Sequence, residues 1–198
     1  MTAREQACPD WTALEEKLRE ALTADRYQHT LGVTYTACAL AMRYGADLTK
    51  ARLAGLLHDC AKCIPNPEKI RLCKELNVPV TPFELEHTPL LHAKLGPFIA
   101  EKDYGVTDPE ILSAIEWHTT GRPEMSLLEK IIFTADYIEP NRDRAPHLEE
   151  IRQMAFTDLD RCVTMIAEDT IAYLKSTGAE FDPMTEKTRL YYQEKTKS

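Results

Sequence analysis

The feature that most constrains this chain is an apolar run with one carboxylate inside it. Ile131-Ile132-Phe133-Thr134-Ala135-Asp136-Tyr137-Ile138 follows Ser126-Leu-Leu-Glu129. Serine and glutamate at that spacing form a capping box, so a helix begins here. An ionised carboxylate buried without partners is very costly. A fold that buries this run must therefore bring a cation to Asp136 or leave it at an edge, as a cap or salt-bridge partner.

The same kind of punctuation recurs along the chain. Helices are predicted over 10–22, with Asp10 as cap, over 26–44 up to Gly45, and over 47–61, where Leu53, Leu56, Leu57 and Ala61 share a face. Pro65 and Pro67 break the third. Further helices are expected over 68–76, 89–101, 109–117, around 131–135, 147–155 and 157–176, with a loop carrying Pro79 and Pro82. Sustained two-residue alternation is missing and glycines number only seven, so the fold class is all-α. The 198 residues suit a single-domain helical bundle. A helix within 1–25 should pack on the main unit, 26–190, and 191–198 reads as a polar tail.

Acidic residues number 32 against 24 basic ones, a formal charge of −8, with no basic stripe. That balance argues against nucleic acid as a partner. No segment approaches 18 uninterrupted apolar residues, so no membrane span is expected. The first residues, MTAREQACPDW, lack the apolar core of a signal peptide. The six cysteines are expected to stay reduced, and the chain to be cytoplasmic. Cys60 and Cys63 have C-x-x-C spacing, but no second pair completes a zinc site. A redox switch there is a remote reading. An amphipathic terminal helix could support a homodimer.

Chemistry concentrates in histidines and aspartates. His58-Asp59 ends an apolar helix, where two adjacent side chains reach one site only at the rim of the buried face. Taken alone, the pair is a polar step at a helix end. His29, His92 and His118 also stand in apolar contexts. A lone core histidine is more often hydrogen-bonded than metal-bound, but four with two aspartates on separate helices form a set. Imidazole and carboxylate suit Zn, Mn, Fe and Co. Six ligands exceed the need of one tetrahedral ion, whereas two ions sharing a carboxylate use them all. Asp59 is the expected bridge, since it directly follows a ligand histidine. Such a metal pair activates water and clamps phosphoryl oxygens. Lys62 lies three residues beyond Asp59 and could neutralise phosphate, or simply complement a helix end. Arg142 could grip phosphate, or pair with Glu139 or Asp143. Arg26, at the start of the His29 helix, could be merely solvated. His147 reads as a surface residue.

Five stretches carry a resemblance: RYQHTLGV at 26–33, LAGLLHDCAK at 53–62, LLHA at 90–93, WHTTGRPEMSLLEKIIFTADYIEPNR at 117–142, and GAEFDP at 178–183. They are similar to the HD superfamily of metal-dependent phosphohydrolases. More narrowly, they resemble the YqeK family of symmetrical bis(5′-nucleosyl)-tetraphosphatases. The resemblance implies a di-iron centre and cleavage of diadenosine tetraphosphate to two ADP. It implies metal ligation by His29, His58, Asp59, His92, His118 and Asp136, with Asp59 and Lys62 catalytic. It implies substrate contacts from Arg26, Lys62, His118, Thr119 and Arg142, and from Ala179, Glu180, Phe181, Asp182, Pro183 and Met184. His92 ranks above nearby His87 as the ligand. The rival readings are another HD activity (a nucleotidase, a guanosine-polyphosphate hydrolase or a cyclic-dinucleotide phosphodiesterase), a silent nucleotide sensor, and a helical adaptor with core histidines.

Overall fold

The computed structural model describes residues 9–197, so Cys8 and most of the stretch read for an export signal lie outside the described residues. Within them the fold is all-α, with eleven helices and no strand. Helix α1 is Trp11–Ala21, α2 Ala24–Tyr44, α3 Leu48–Leu57 and α4 Asn66–Glu75. Next come α5 Pro82–Glu86, a 3-10 turn Thr88–Leu90, α6 Leu91–Tyr104 and α7 Pro109–Trp117. Then follow α8 Leu127–Ile138, α9 Leu148–Ala155, α10 Leu159–Ser176 and α11 Pro183–Lys195. No described helix is long and apolar enough to cross a membrane.

The caps explain most boundaries. Asp10, Thr23, Asp47, Asp108 and Asp158 each accept a hydrogen bond from a backbone N–H in the first turn of α1, α2, α3, α7 and α10. Ser126 and Glu129 form the expected capping box, which starts α8 at Leu127 and carries it through Asp136. Gly45 ends α2 in the left-handed region at φ 72°.

Helix α8 lies at the centre, against α2, α3, α7, α9 and α10. Ile131 and Ile132 of α8 join Val33, Ala37 and Leu40 of α2, Leu56 and Leu57 of α3, Ile115 of α7, and Val163 and Ile166 of α10 in the main core. Each buried Val, Leu or Ile side chain here contributes about 1.5–3 kcal/mol. Their sum fixes the rotation of α8 and hence the direction of Asp136. A smaller core, with Ala61, Cys73, Leu91 and Leu95, ties α4 to α6. Gly96 lets α6 approach α7: a Cβ there would stand 2.6 Å from Ile115 Cγ2. That approach brings His92 beside His118.

Three expectations change. The third helix does not run to Ala61. It ends at Leu57, and residues 58–63 form tight turns in which Cys60 N–H donates to Leu57 O and Lys62 N–H to Asp59 O at 2.8 Å. His58-Asp59 therefore leave the helix axis, and the rim-of-a-helix geometry does not apply. The loop around Pro79 and Pro82 holds α5, with a capping box of Thr81 and Glu84. The C-terminal stretch adds α11, which takes in residues 191–195 of the expected polar tail. Tyr192 is fully buried there, and its hydroxyl accepts from Met125 N–H at 2.9 Å.

Candidate metal centre

Three histidines are held in one manner. Nδ1–H of His58 donates to Gly55 O at 2.7 Å, that of His92 to Pro89 O at 2.6 Å, and that of His118 to Ile115 O at 2.7 Å. A backbone carbonyl only accepts, so each Nδ1 carries the proton and each Nε2 is left with a bare lone pair. His29 is oriented by a carboxylate instead: its Nδ1 lies 3.1 Å from Glu139 Oε1. Glu139 is 1% exposed and also accepts from Asn141 N–H and Nδ2. Gly32 makes room for it, since a Cβ there would strike the Glu139 carboxylate. Orientation of ligand imidazoles by carbonyls and carboxylates is the usual support of a metal site.

The bare nitrogens converge on aspartates. Nε2 of His92 and of His118 lie 3.1 Å apart, and 3.1 and 3.6 Å from Asp59 Oδ1. His58 Nε2 is 3.5 Å from Asp59 Oδ2 and 3.9 Å from Asp136 Oδ1, and His29 Nε2 is 2.9 Å from Asp136 Oδ1. His29 Nε2, His58 Nε2 and Asp59 Oδ1 are buried without a hydrogen-bond partner. Lone pairs facing one another at such distances repel unless a cation stands among them. The donor set thus fits divalent metal, in two groups that share Asp59: His29, His58 and Asp59, and Asp59, His92 and His118.

The electrostatics agree. Burial alone would raise the Asp59 carboxyl, but the imidazoles of His58, His118 and His92 outweigh it and hold it well below the usual range. Asp136 is likewise held low against burial by His29, His58 and Arg142. Burial, with Lys62 nearby, pushes His92 down to about 4. Both carboxylates are thus charged and His92 neutral at neutral pH, the forms that ligate metal.

Cations and hydroxyls stand at the rim. Arg26 Nη1 is 2.9 Å from Asp59 Oδ2, so this residue is not merely solvated. Lys62 Nζ is 3.1 Å from His92 Nε2 and 3.9 Å from Asp59 Oδ1. Arg142 Nη2 is 3.3 Å from Asp136 Oδ1, rather than on Glu139 or Asp143. Thr119 Oγ1 is 3.1 Å from His118 Nε2. A polar cleft runs past Arg26, His29 and Arg142. On the other flank, Thr119 borders a cavity whose walls include Ala179, Glu180, Phe181 and Asp182.

All six expected ligands therefore meet in one place, with Arg26, Lys62, Thr119 and Arg142 around them. Pro183 and Met184 do not line the flanking cavity: they open α11, where Met184 N–H is capped by Asp182. His87 stands apart from Asp59, stacked on Phe83 with ring centroids 4.0 Å apart. Cys60 and Cys63 are both free thiols, and burial pushes the Cys60 thiol up, away from the reactive thiolate. His147 is a surface residue, paired with Asp169 at 2.8 Å. Sequence reasoning missed Glu139 as the orienting group. Its signal was a carboxylate next to an apolar run, one helical turn beyond Asp136.

This caged arrangement of histidines and carboxylates defines a class: a family model described as HD domain matches residues 26–141. A symmetrical bis(5′-nucleosyl)-tetraphosphatase of Bacillus subtilis is 41% identical over 169 residues, covering 85% of this chain and 89% of the relative. One of Halalkalibacterium halodurans is 44% identical over 164 residues, covering 83% and 87%. A crystal structure from Clostridium acetobutylicum, described as a predicted HD superfamily hydrolase involved in NAD metabolism, superposes with a TM-score of 0.90. It shares 39% identity and covers 93% of this chain and 97% of its own. The chain belongs to the HD domain family, in its branch of symmetrical bis(5′-nucleosyl)-tetraphosphatases.

Proposed function

We propose that the chain hydrolyses diadenosine tetraphosphate and related dinucleoside polyphosphates symmetrically, yielding two ADP. One water is consumed: its oxygen joins a central phosphorus, and the P–O bond between the second and third phosphates breaks. The observation that carries this reading is Asp59, shared between two groups of unprotonated imidazole nitrogens, with Arg26 and Lys62 beside it and Arg142 on Asp136. The likeness to the bacterial tetraphosphatases supports the choice of substrate.

In this reading His29, His58, Asp59 and Asp136 hold one cation, and Asp59, His92 and His118 hold a second. Iron follows from the family likeness, and Mn, Co or Zn would suit the same donors. The metal pair, when bound, supplies an activated water and neutralises charge on the reacting phosphate. Arg26 and Arg142 present guanidinium groups to the flanking phosphates, and Lys62 adds a point charge beside Asp59. The Thr119 hydroxyl and the His118 edge face the same phosphates, and the segment from Ala179 to Asp182 holds one nucleoside. The acidic composition and the absence of a membrane-length helix among the described residues suit a small-molecule enzyme of the cytoplasm. A homodimer remains part of the proposal.

The test is hydrolysis of diadenosine tetraphosphate by anaerobically purified, metal-loaded protein, read by chromatography. ADP as the only nucleotide product is expected. ATP with AMP would refute symmetric cleavage, and no product would refute the activity.

A further inference from the structure

Symmetric cleavage leaves half of the substrate without residues assigned to it. The bond broken is two phosphates from each nucleoside, so a substrate with one nucleoside held on one side of the metal groups carries the other an equal reach beyond them. The cavity beside Thr119, lined by Phe83, His87 and the 179–182 segment, serves one nucleoside. Thr119 joins it to the Asp59–His92–His118 group.

A second cavity, of about 410 Å³, opens beside Arg142. Its walls include Tyr137, Arg142, Pro146, Asp169 and Tyr173. Arg142 joins it to Asp136, just as Thr119 joins the first cavity to His118. The two cavities share a wall on α10 formed by Thr170 and Leu174. Each cavity thus reaches a different metal group through one side chain, Thr119 or Arg142.

The second cavity is built for a nucleoside. Tyr173 is a large aromatic side chain left 59% exposed, with no ring or cation contact among the described residues. Aromatic faces of this kind stack nucleobases. Asp169 is nearly buried, and its carboxylate already accepts from Tyr137 Oη and pairs with His147. An anchored carboxylate of this sort accepts from ribose hydroxyls or an exocyclic amine. Arg142 supplies the charge at the phosphate end. We infer that this cavity, with Tyr173 as its stacking platform, is the binding site for the second nucleoside 5′-diphosphate half of the substrate. Two nucleoside sites, each joined to one metal group, then hold both ends of the substrate two phosphates from the bond that breaks. The inference rests on the dinucleotide reading above.

The test compares wild type, Tyr173→Ala and Tyr173→Phe, all metal-loaded. ADP binding is measured by calorimetry, and diadenosine tetraphosphate kinetics by chromatography. The wild type should bind two ADP per chain and Tyr173→Ala one. Tyr173→Ala should raise KM about tenfold, the scale of one lost base–aromatic stack, with kcat little changed. Tyr173→Phe should restore both. One ADP per wild-type chain, or a Tyr173→Ala protein matching wild type in stoichiometry and KM, overturns the inference. A wild type that binds two ADP but leaves the dinucleotide intact sinks the hydrolase reading while the second site stands.

Discussion

Glu139 offers a sharp prediction, because its carboxylate meets His29 at Nδ1, the ring nitrogen turned away from Asp136. It accepts from His29 Nδ1 at 3.1 Å, from Asn141 N–H at 2.7 Å and from Asn141 Nδ2 at 3.0 Å, and it is 1% exposed. Glu139→Ala leaves the half-buried His29 imidazole without its acceptor, while the Asn141 amide, on an exposed residue beside the polar cleft, can turn to water. A buried donor left without an acceptor costs about 1–3 kcal/mol, so the variant should lose about that much. Domain stability is typically about 5–15 kcal/mol, so most of the protein should still fold. Glu139→Gln keeps one carbonyl acceptor and should lose about half as much. Both free His29 to turn and to change tautomer, and loss of such an orienting carboxylate lowers metal affinity about 10–100-fold. Urea unfolding of metal-free protein measures the first effect, and direct metal titration the second. A Glu139→Gln protein that is destabilised yet binds metal as tightly as wild type would refute the orienting role and leave Glu139 a structural residue.

Two further predictions concern the frame around the site. Asp160 joins α10 to Lys130 of α8 at 2.7 Å and to Lys195 of α11 at 2.8 Å. Burial would raise its carboxyl, but those two lysines prevail and hold it below the ordinary 3.8. A carboxyl lowered on folding stabilises above its unfolded pKa, and that contribution is lost as pH falls through the folded value. Asp160→Asn should therefore flatten the fall in stability below about pH 4, measured by chemical unfolding across pH; an unaltered profile would refute the linkage. Tyr192→Phe strands the Met125 N–H in the core and should cost about 1–3 kcal/mol in urea unfolding. No loss would mean that α11 is not docked by this bond.

How much was legible in the sequence depended on whether a signal was local. Capping boxes and Asp or Thr caps act over three residues, so the starts of α1, α7 and α8 could be read within a residue or two. Asp182-Pro183 is the same cap-and-proline signal as Asp108-Pro109, yet α11 was missed, because its mixed charges mask the buried Tyr192 and Thr188. The end of α3 was misplaced because the apolar pattern continues through Ala61, while the chain turns after Leu57 through i, i+3 bonds. Asp136 announced itself as a carboxylate in an apolar run. Its meeting with His29 depends on the packing of α2 against α8, which local pattern does not encode. Glu139 gave only a weak local sign, a carboxylate next to an apolar run, and the fold alone places it against His29. The second cavity was equally hidden: Tyr173 reads as an ordinary aromatic on α10 until its exposure beside Arg142 is seen.

The central claim is that one carboxylate, Asp59, serves two cation sites. Elemental analysis of anaerobically purified protein reconstituted with Fe(II) or Mn(II) tests it most directly, with wild type beside Asp59→Asn. Two metal equivalents per wild-type chain and fewer than one in the variant are predicted. A wild type that stays metal-free, or a variant that retains both ions, would contradict it.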